Sequence, residues 1–491
     1  MNYIAKIRKF IFIAKFLQKS SRLLNFTKLI NISITVELNT HQKTITMHRI
    51  VNIKIALIIM LSLAGTTAFA DETCDSVATD QSHEFSVKGE LMARGEYREG
   101  ALLSPTSNTA KFILERTRLL FNYKQPHIEV QLTPQHCGVW GTADGGTFTL
   151  RETWAKLDGS GFFAKVGRQS LTYDDERIIG LDDWSMTSAY HDALKLGYEG
   201  GGHKIHTVFA YNQNDDNTNG GSVYRDGGQV YKAMQLLWYH YDFSPTFGAS
   251  ALFVNTGMQA ADSDGTINQQ LVGGYAKFAP RNISLEASYY CQMGHNEFTM
   301  PIKAWMWSAE GNWNFAPNWN FNLGYYHLSG DKHYYTVIPS KKGTNDLGNT
   351  ESQLIRQTHA HAFNLIFGSH HQFYGAMEFF YLTDFYGGYS PGLQDLHTGF
   401  QYKKEEHFSI DANYHLLSTS VKLPGLRHTL GHELELSASW KFLDCATLSA
   451  GYSYMDGTHT MKAIKQPDDR SNLNWAWIML VVKPEFFGLK F

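Results

Sequence analysis

Cysteine is scarce in this 491-residue sequence: Cys74, Cys137, Cys291 and Cys445 are too few and too scattered for a disulfide framework. Beyond residue 70 no apolar run approaches the roughly 18 residues that a membrane-crossing helix needs, so transmembrane helices are excluded. Charge of one sign is also lacking. A net charge of −3 argues against a nucleic-acid partner. No Gly-x-Ser-x-Gly elbow and no His-Glu-x-x-His zinc signature occurs, which removes the most recognisable hydrolase motifs. The mean hydropathy of −0.30 suits a soluble protein. It equally suits a membrane β-barrel, whose lumen and loops are polar and where only alternate residues meet lipid.

What is present begins at the N-terminus. Met47 opens a segment with basic residues (His48, Arg49, Lys54), followed by the apolar run Ile55–Ala64 and a small-x-small close at Ala68-Phe69-Ala70. This is the layout of a secretory signal peptide over 47–70. Residues 1–46 then stand as an upstream extension or a mis-assigned start, and 71–83 as a periplasmic tail. The remaining segment, 84–491, carries the fold.

From Glu84 onward apolar and polar residues alternate in segments of about ten residues, the period of a strand. In the first, Phe85, Val87, Leu91, Ala93 and Tyr97 oppose Ser86, Lys88, Glu90, Arg94, Glu96 and Arg98. Tight links fall at Gln125–Pro126, Asp158–Gly161, Gly200–His203, Ser244–Thr246, Pro280–Asn282, Ala316–Asn318, Ser369–His371, Lys403–Glu406 and Asp444–Cys445. Long loops rich in Gly, Asp, Asn and Ser lie between them, such as 172–190, 212–228, 329–356 and 457–472. Short turns on one rim and long loops on the other predict an all-β transmembrane antiparallel barrel of 18–20 strands. Aromatic clusters (Trp305, Trp307, Trp313, Trp319; Phe379, Phe380, Tyr381) suit interfacial girdles, and the chain closes on an aromatic strand ending at Phe491. No repeat near 40–50 residues supports a propeller. A plugged receptor is disfavoured because the first strand begins about 14 residues after the cleavage point, too few for a plug domain.

Two ordered blocks go further. Gly167-Arg168-Gln169 with Asp183-Trp184-Ser185, and His371-x-Phe373-Tyr374-Gly375 with Gly392-Leu393-Gln394-Asp395, resemble the alginate-export family of outer-membrane barrels. The closing Trp475-Ala476-Trp477 and Lys483-Pro484-x-Phe486-Phe487 belong to the same resemblance. It implies a monomeric barrel of about 18 strands whose lumen carries arginines and lysines and passes an anionic uronate polysaccharide. Positions that match are Lys88, Arg118, Arg151-Glu152 and Arg168. In this family a loop such as 172–190 can fold inward and narrow the pore.

The alternation assigns several of these positions independently. Leu119, Phe121 and Tyr123 want lipid, which turns Arg116, Arg118 and Asn122 inward; Phe148, Leu150 and Trp154 do the same for Thr149, Arg151 and Thr153, with Glu152 at the lipid-side rim unless the strand has already ended. An arginine facing mid-bilayer lipid costs about 2–4 kcal/mol, so the inward choice is favoured. The expected basic cluster is Lys88, Arg94, Arg116, Arg118, Arg151, Arg168 and Lys195, with Glu90, Glu115 and Glu152 as acidic partners. Arg168 shares the parity of Ala164 and Val166, so only a strand end or a bulge would aim it into the lumen. Such a cluster binds carboxylates; the bland alternative is a wall-to-wall ion network that stiffens the barrel. Asp174, Asp175, Arg177, Asp182 and Asp183 make the 172–190 loop a gating candidate, against a plain solvated loop.

Metal sites and cofactors are not expected. His359/His361 and His370/His371 read as polar strand and turn residues, and the clusters 214–217 and 262–265 as solvated turns rather than Ca²⁺ loops. Cys74 and Cys445 would both face the oxidising periplasm, where a disulfide could tie tail to barrel. The expected function is a passive, non-enzymatic outer-membrane channel for an anionic oligo- or polysaccharide. Its other contacts would be outer-membrane lipid and lipopolysaccharide, and the barrel-assembly machinery. The alternative is a general or small-solute nutrient porin on the same scaffold.

Overall fold

Alternating segments can satisfy their backbone groups in a bilayer only by pairing with both neighbours until the sheet closes on itself. That closure is what the computed structural model holds. It describes residues 82–99, 109–213, 223–224, 227–260, 265–296, 299–331, 358–380, 390–465 and 472–491. The first strands are β1 (Glu84–Glu99), β2 (Ala110–Gln125), β3 (Ile128–Val139), β4 (Thr147–Gly159), β5 (Phe162–Gln169) and β6 (His191–Gly200). Next come β7 (His203–Tyr211), β8 (Ala233–Ser244), β9 (Phe247–Gln259), β10 (Thr266–Phe278), β11 (Ile283–Gly294) and β12 (Ala304–Ala316). The last are β13 (Trp319–Leu328), β14 (Leu393–Lys404), β15 (Phe408–Ser418), β16 (Thr429–Leu443), β17 (Ala446–Gly457), β18 (Asn472–Val482) and β19 (Glu485–Lys490). One short helix, α1 (His459–Lys465), precedes β18. No described helix is long and apolar enough to cross a membrane.

Each strand pairs antiparallel with the next, and β18 and β19 both return to β1. These two are halves of one strand, interrupted where Pro484 has no N–H to give the ladder. The barrel is therefore closed and 18-stranded. His83 stacks on Phe491 at 5.4 Å and exchanges both backbone hydrogen bonds with it, which fixes the end of the chain to the start of β1.

Eight of the nine tight links are hairpin turns of one rim. Ser160-Gly161 and Gly201-Gly202 take positive φ at both central positions, the type I′ geometry that matches strand twist. The ninth, Ser369–His371, is not a hairpin: the described part of the β13–β14 connection, 358–380, is irregular and folds inward. This brings the strand number to 18 rather than 20. His359 and His361, expected on a strand, lie on that irregular segment.

Burial follows strand parity. Leu119 is 40% exposed to the outside, whereas Arg116 is fully buried on the lumen side. Trp305, Trp313 and Trp319 face out, as a girdle requires, but Phe379 and Phe380 are buried among lumen side chains. The girdle reading fails for these two because their segment turned inward. Tyr381, the signal-peptide segment, Cys74, residues 214–217 and Asp262–Asp264 lie outside the described residues.

Candidate functional site

The barrel interior is divided between two kinds of wall. On β7–β14 the inward residues are largely apolar: Val208, Met234, Leu236, Leu252, Leu271 and Met306 are all essentially fully buried. On β1, β2 and β4 the buried inward residues, Met92 apart, are charged: Glu90, Arg94, Glu96, Arg116, Arg118 and Arg151. Two chain segments fill the space between, 170–190 after β5 and 358–380 after β13. They meet through a parallel bridge from Ile179 to Phe367. Ile178, Ile179, Leu171 and Tyr173 pack on the apolar wall. Burial of each aliphatic side chain contributes about 1.5–3 kcal/mol to seating the segment.

Against the charged wall the same segment is held by guanidinium groups. Arg94 donates to Trp184 O at 2.8 Å, and its guanidinium lies 3.9 Å over the Trp184 ring. Arg116 donates to Asp183 O at 3.0 Å and Ser185 O at 3.1 Å. The Asp183 carboxylate sits 3.2 Å from Arg116 and 3.0 Å from Arg118, and Glu90 stands behind both at 2.7 and 3.3 Å. Glu96 pairs with Arg94 and Arg98 at 2.9 and 2.7 Å. Burial pushes the Asp183 carboxyl up, but Arg116 and Arg118 overcome it and hold the group below its ordinary value. Trp184 is further clamped by His371, stacked at 3.9 Å, and by the edges of Trp475 and Trp477.

The other end of the segment is anchored across the lumen. Asp174 accepts from Trp238 Nε1 at 3.0 Å, Ser250 Oγ at 2.6 Å and Tyr290 Oη at 3.4 Å. Arg177 is buried, pairs with Asp175 at 3.1 Å and lies 3.9 Å over both the Tyr326 and Phe373 rings. Ser369 Oγ accepts from the Asp182 amide at 2.9 Å and donates to Glu176 at 2.8 Å. Burial, with the Glu378 carboxylate second, raises Asp182 to about 6. Among the described residues, six of the twelve non-glycine positions with positive φ lie in these two segments: Asp174, Glu176, Asp182, Ser188, Tyr374 and Glu378. Such strain persists only where the surroundings over-determine it.

The structure brings Arg94, Arg116, Arg118, Asp183 and Glu90 together, and places the other expected residues apart from them. Arg151 occupies a bulge opposite Thr133/Pro134, so Arg151 and Glu152 both turn inward, where they meet Ser170 Oγ at 3.1 and 2.7 Å, and past the bulge Trp154 rather than Thr153 takes the inward side. Lys195 lies 5.1 Å over the Tyr173 ring. Lys88 is half exposed and 3.6 Å from Glu485. Two expectations are overturned. Glu115 is an outward residue, because Arg116 and Arg118 take the inward parity; it accepts from Trp140 Nε1 at 2.8 Å and faces His136. Arg168 keeps the outward parity of Val166 and binds Asp192 through two bonds at 2.8 and 2.9 Å, so no bulge re-aims it. Among the described residues Cys137, Cys291 and Cys445 form no disulfide with one another.

A cavity of about 380 Å³ stays open toward the short-turn end, and in its lining carboxylates outnumber the one arginine, Arg177. Asp175, Glu286, Glu310 and Glu435 contribute carboxylates, with His371, His397 and His415 among them. The strand alternation did not signal that the arginines would be covered by segment 170–190.

A closed barrel with inward-folded segments defines the class: an outer-membrane β-barrel channel. The profile of the Alginate export family matches residues 135–420, and the chain belongs to that family. Solved structures show the same fold. OccAB1 of Acinetobacter baumannii superposes with a TM-score of 0.55 at 11% identity, covering 82% of this chain and 97% of its own. OccK11 (OpdR) and OprD of Pseudomonas aeruginosa both give 0.52, at 11% and 10% identity, each covering 82% of this chain and 96% of its own. No curated relative matches the sequence.

Proposed function

We propose that this barrel passes an acidic oligo- or polysaccharide by diffusion, and that segment 170–190 is its gate. The observation carrying this reading is the seat itself. The N–H groups of Arg94 and Arg116 that hold the carbonyls of Trp184, Asp183 and Ser185 have the geometry to hold a uronate carboxylate. With the segment seated, Glu90, Glu96 and Asp183 neutralise the arginines. With it displaced, the β1–β4 wall presents guanidinium groups to the lumen, and a polyanion competes with Asp183 for them. No catalytic step is part of this reading. The barrel works as a monomer in outer-membrane lipid and lipopolysaccharide, after export on the 47–70 signal peptide and delivery by the barrel-assembly machinery. Planar-bilayer recording with added uronate oligomers tests it. Anion selectivity and uronate block, both lost when Arg116, Arg118 and Arg151 are changed together to Ala, are expected; cation selectivity with no uronate response sinks the proposal.

A small-solute porin is the second reading, favoured by the modest, carboxylate-lined cavity. Liposome swelling separates the two, since a small-solute porin admits neutral and cationic solutes equally well with segment 170–190 in place.

A further inference from the structure

Strands β14 and β15 pair so that His397 lies directly across from His415, and both face the lumen with Asp395 two residues along. Asp395 is fully buried, and its described side-chain partners are the two imidazoles. His415 Nδ1 is 3.0 Å from each carboxylate oxygen, and His397 Nδ1 is 3.5 Å from Oδ2. Donors bound about 2.1 Å from a tetrahedral ion stand about 3.4 Å from one another, which these separations bracket. Among the described residues this is the one group with metal-ligand spacing, all of its donor atoms lying within 4.8 Å.

Two further observations point to a ligand. His397 is 7% exposed, and its Nδ1 meets only the Asp395 carboxylate, at 3.5 Å and without good hydrogen-bond geometry. A buried nitrogen left this way costs free energy unless something binds it. The ring reaches that position because residue 324 is glycine: a Cβ there would stand 2.3 Å from His397 Nε2. His415 has its far nitrogen, Nε2, 3.4 Å from Glu435 Oε1, the outer-carboxylate arrangement of a ligating histidine, and its Nδ1 would exchange its hydrogen bonds to Asp395 for the ion.

We propose that Asp395, His397 and His415 form a site for a divalent transition-metal ion in the channel wall. Two imidazoles and one carboxylate select Zn²⁺ and its neighbours over Ca²⁺ or Mg²⁺. His397 and His415 also line the open cavity, so the remaining coordination position faces it. The inference is independent of which solute the channel passes.

The test uses the untagged full barrel, folded in detergent and checked by heat-dependent gel mobility. Dialysis against Zn²⁺ should leave one equivalent per chain, and Co²⁺ should give a tetrahedral visible spectrum. His397→Gln and Asp395→Asn should abolish both, Glu435→Gln should weaken binding about 10- to 100-fold, and a His359→Gln/His361→Gln variant should bind as wild type. Should the ligand variants fail to fold, wild-type protein labelled with diethylpyrocarbonate gives the answer alone: Zn²⁺ should protect His397 and His415 but not His359. Absence of stoichiometric Zn²⁺ and of the Co²⁺ spectrum overturns the proposal, as does binding unchanged by His397→Gln, or equal labelling with and without Zn²⁺.

Discussion

Asp183→Asn removes the one loop carboxylate that faces Arg116 and Arg118, at nearly constant shape. Both arginines keep Glu90 at 2.7 and 3.3 Å, so no buried charge is orphaned, and the 3–5 kcal/mol cost of breaking a buried pair does not apply. The Asp183 side chain is also 37% exposed, which screens the pair further. What is lost is the difference between charged and neutral hydrogen bonds to two guanidiniums, about 2 kcal/mol. That corresponds to a roughly 30-fold rise in the unseated population. Single-channel recording should show longer or more frequent openings and a shift toward anion selectivity, since the arginines then face the pore. Conductance and selectivity identical to wild type would refute the idea that Asp183 holds the segment on the arginine wall.

Other outcomes follow from the same contacts. Asp182 has its pKa raised to about 6 in the seated state, so it binds its proton more readily there than when unseated. Seating therefore strengthens as pH falls through about 6 toward 4, where protonation relieves the burial of the charge and its repulsion from Glu378, and conductance should drop; Asp182→Asn should flatten that step. Asp183 has its pKa held low, so its contribution is complete above the ordinary carboxylate value near 4 and is lost below it, reopening the channel in strong acid. Trp184→Ala removes a ring clamped by Arg94 and His371, costs the seat about 3 kcal/mol, and should expose the Arg177 peptide bond to trypsin in the folded barrel. Leu436→Arg, on the lipid face of β16, should destabilise the barrel by about 2–4 kcal/mol in urea titrations in lipid, whereas Ser437→Arg on the lumen side should not.

The barrel was legible in the sequence because a strand with lipid on one side and water on the other must alternate, and a two-residue I′ turn announces itself by Gly and Asn. Leu119 against Arg118 needs no tertiary knowledge to be read. Legibility failed where the lumen is not water. On β8, Met234-Gln235-Leu236-Leu237-Trp238-Tyr239 is apolar on both faces, because the inner face is covered by Ile178, Ile179 and Tyr173. Segment 358–380 carries the apolar spacing of a strand and a turn-like Ser369–His371, yet it packs inside the barrel as irregular chain.

Sequence alone determined a closed antiparallel barrel with Arg94, Arg116, Arg118 and Arg151 turned inward, since parity and the cost of a charge in lipid are local rules. Only the tertiary structure decided what the arginines meet. Arg116 lies 67 residues from Asp183, and Asp395 20 residues from His415, and such contacts depend on strand register and on which loop enters the lumen. The same distinction separates Glu115 from its neighbours. One residue along the strand sends it to the outer face, while Arg116 and Arg118 hold the inward-folded segment.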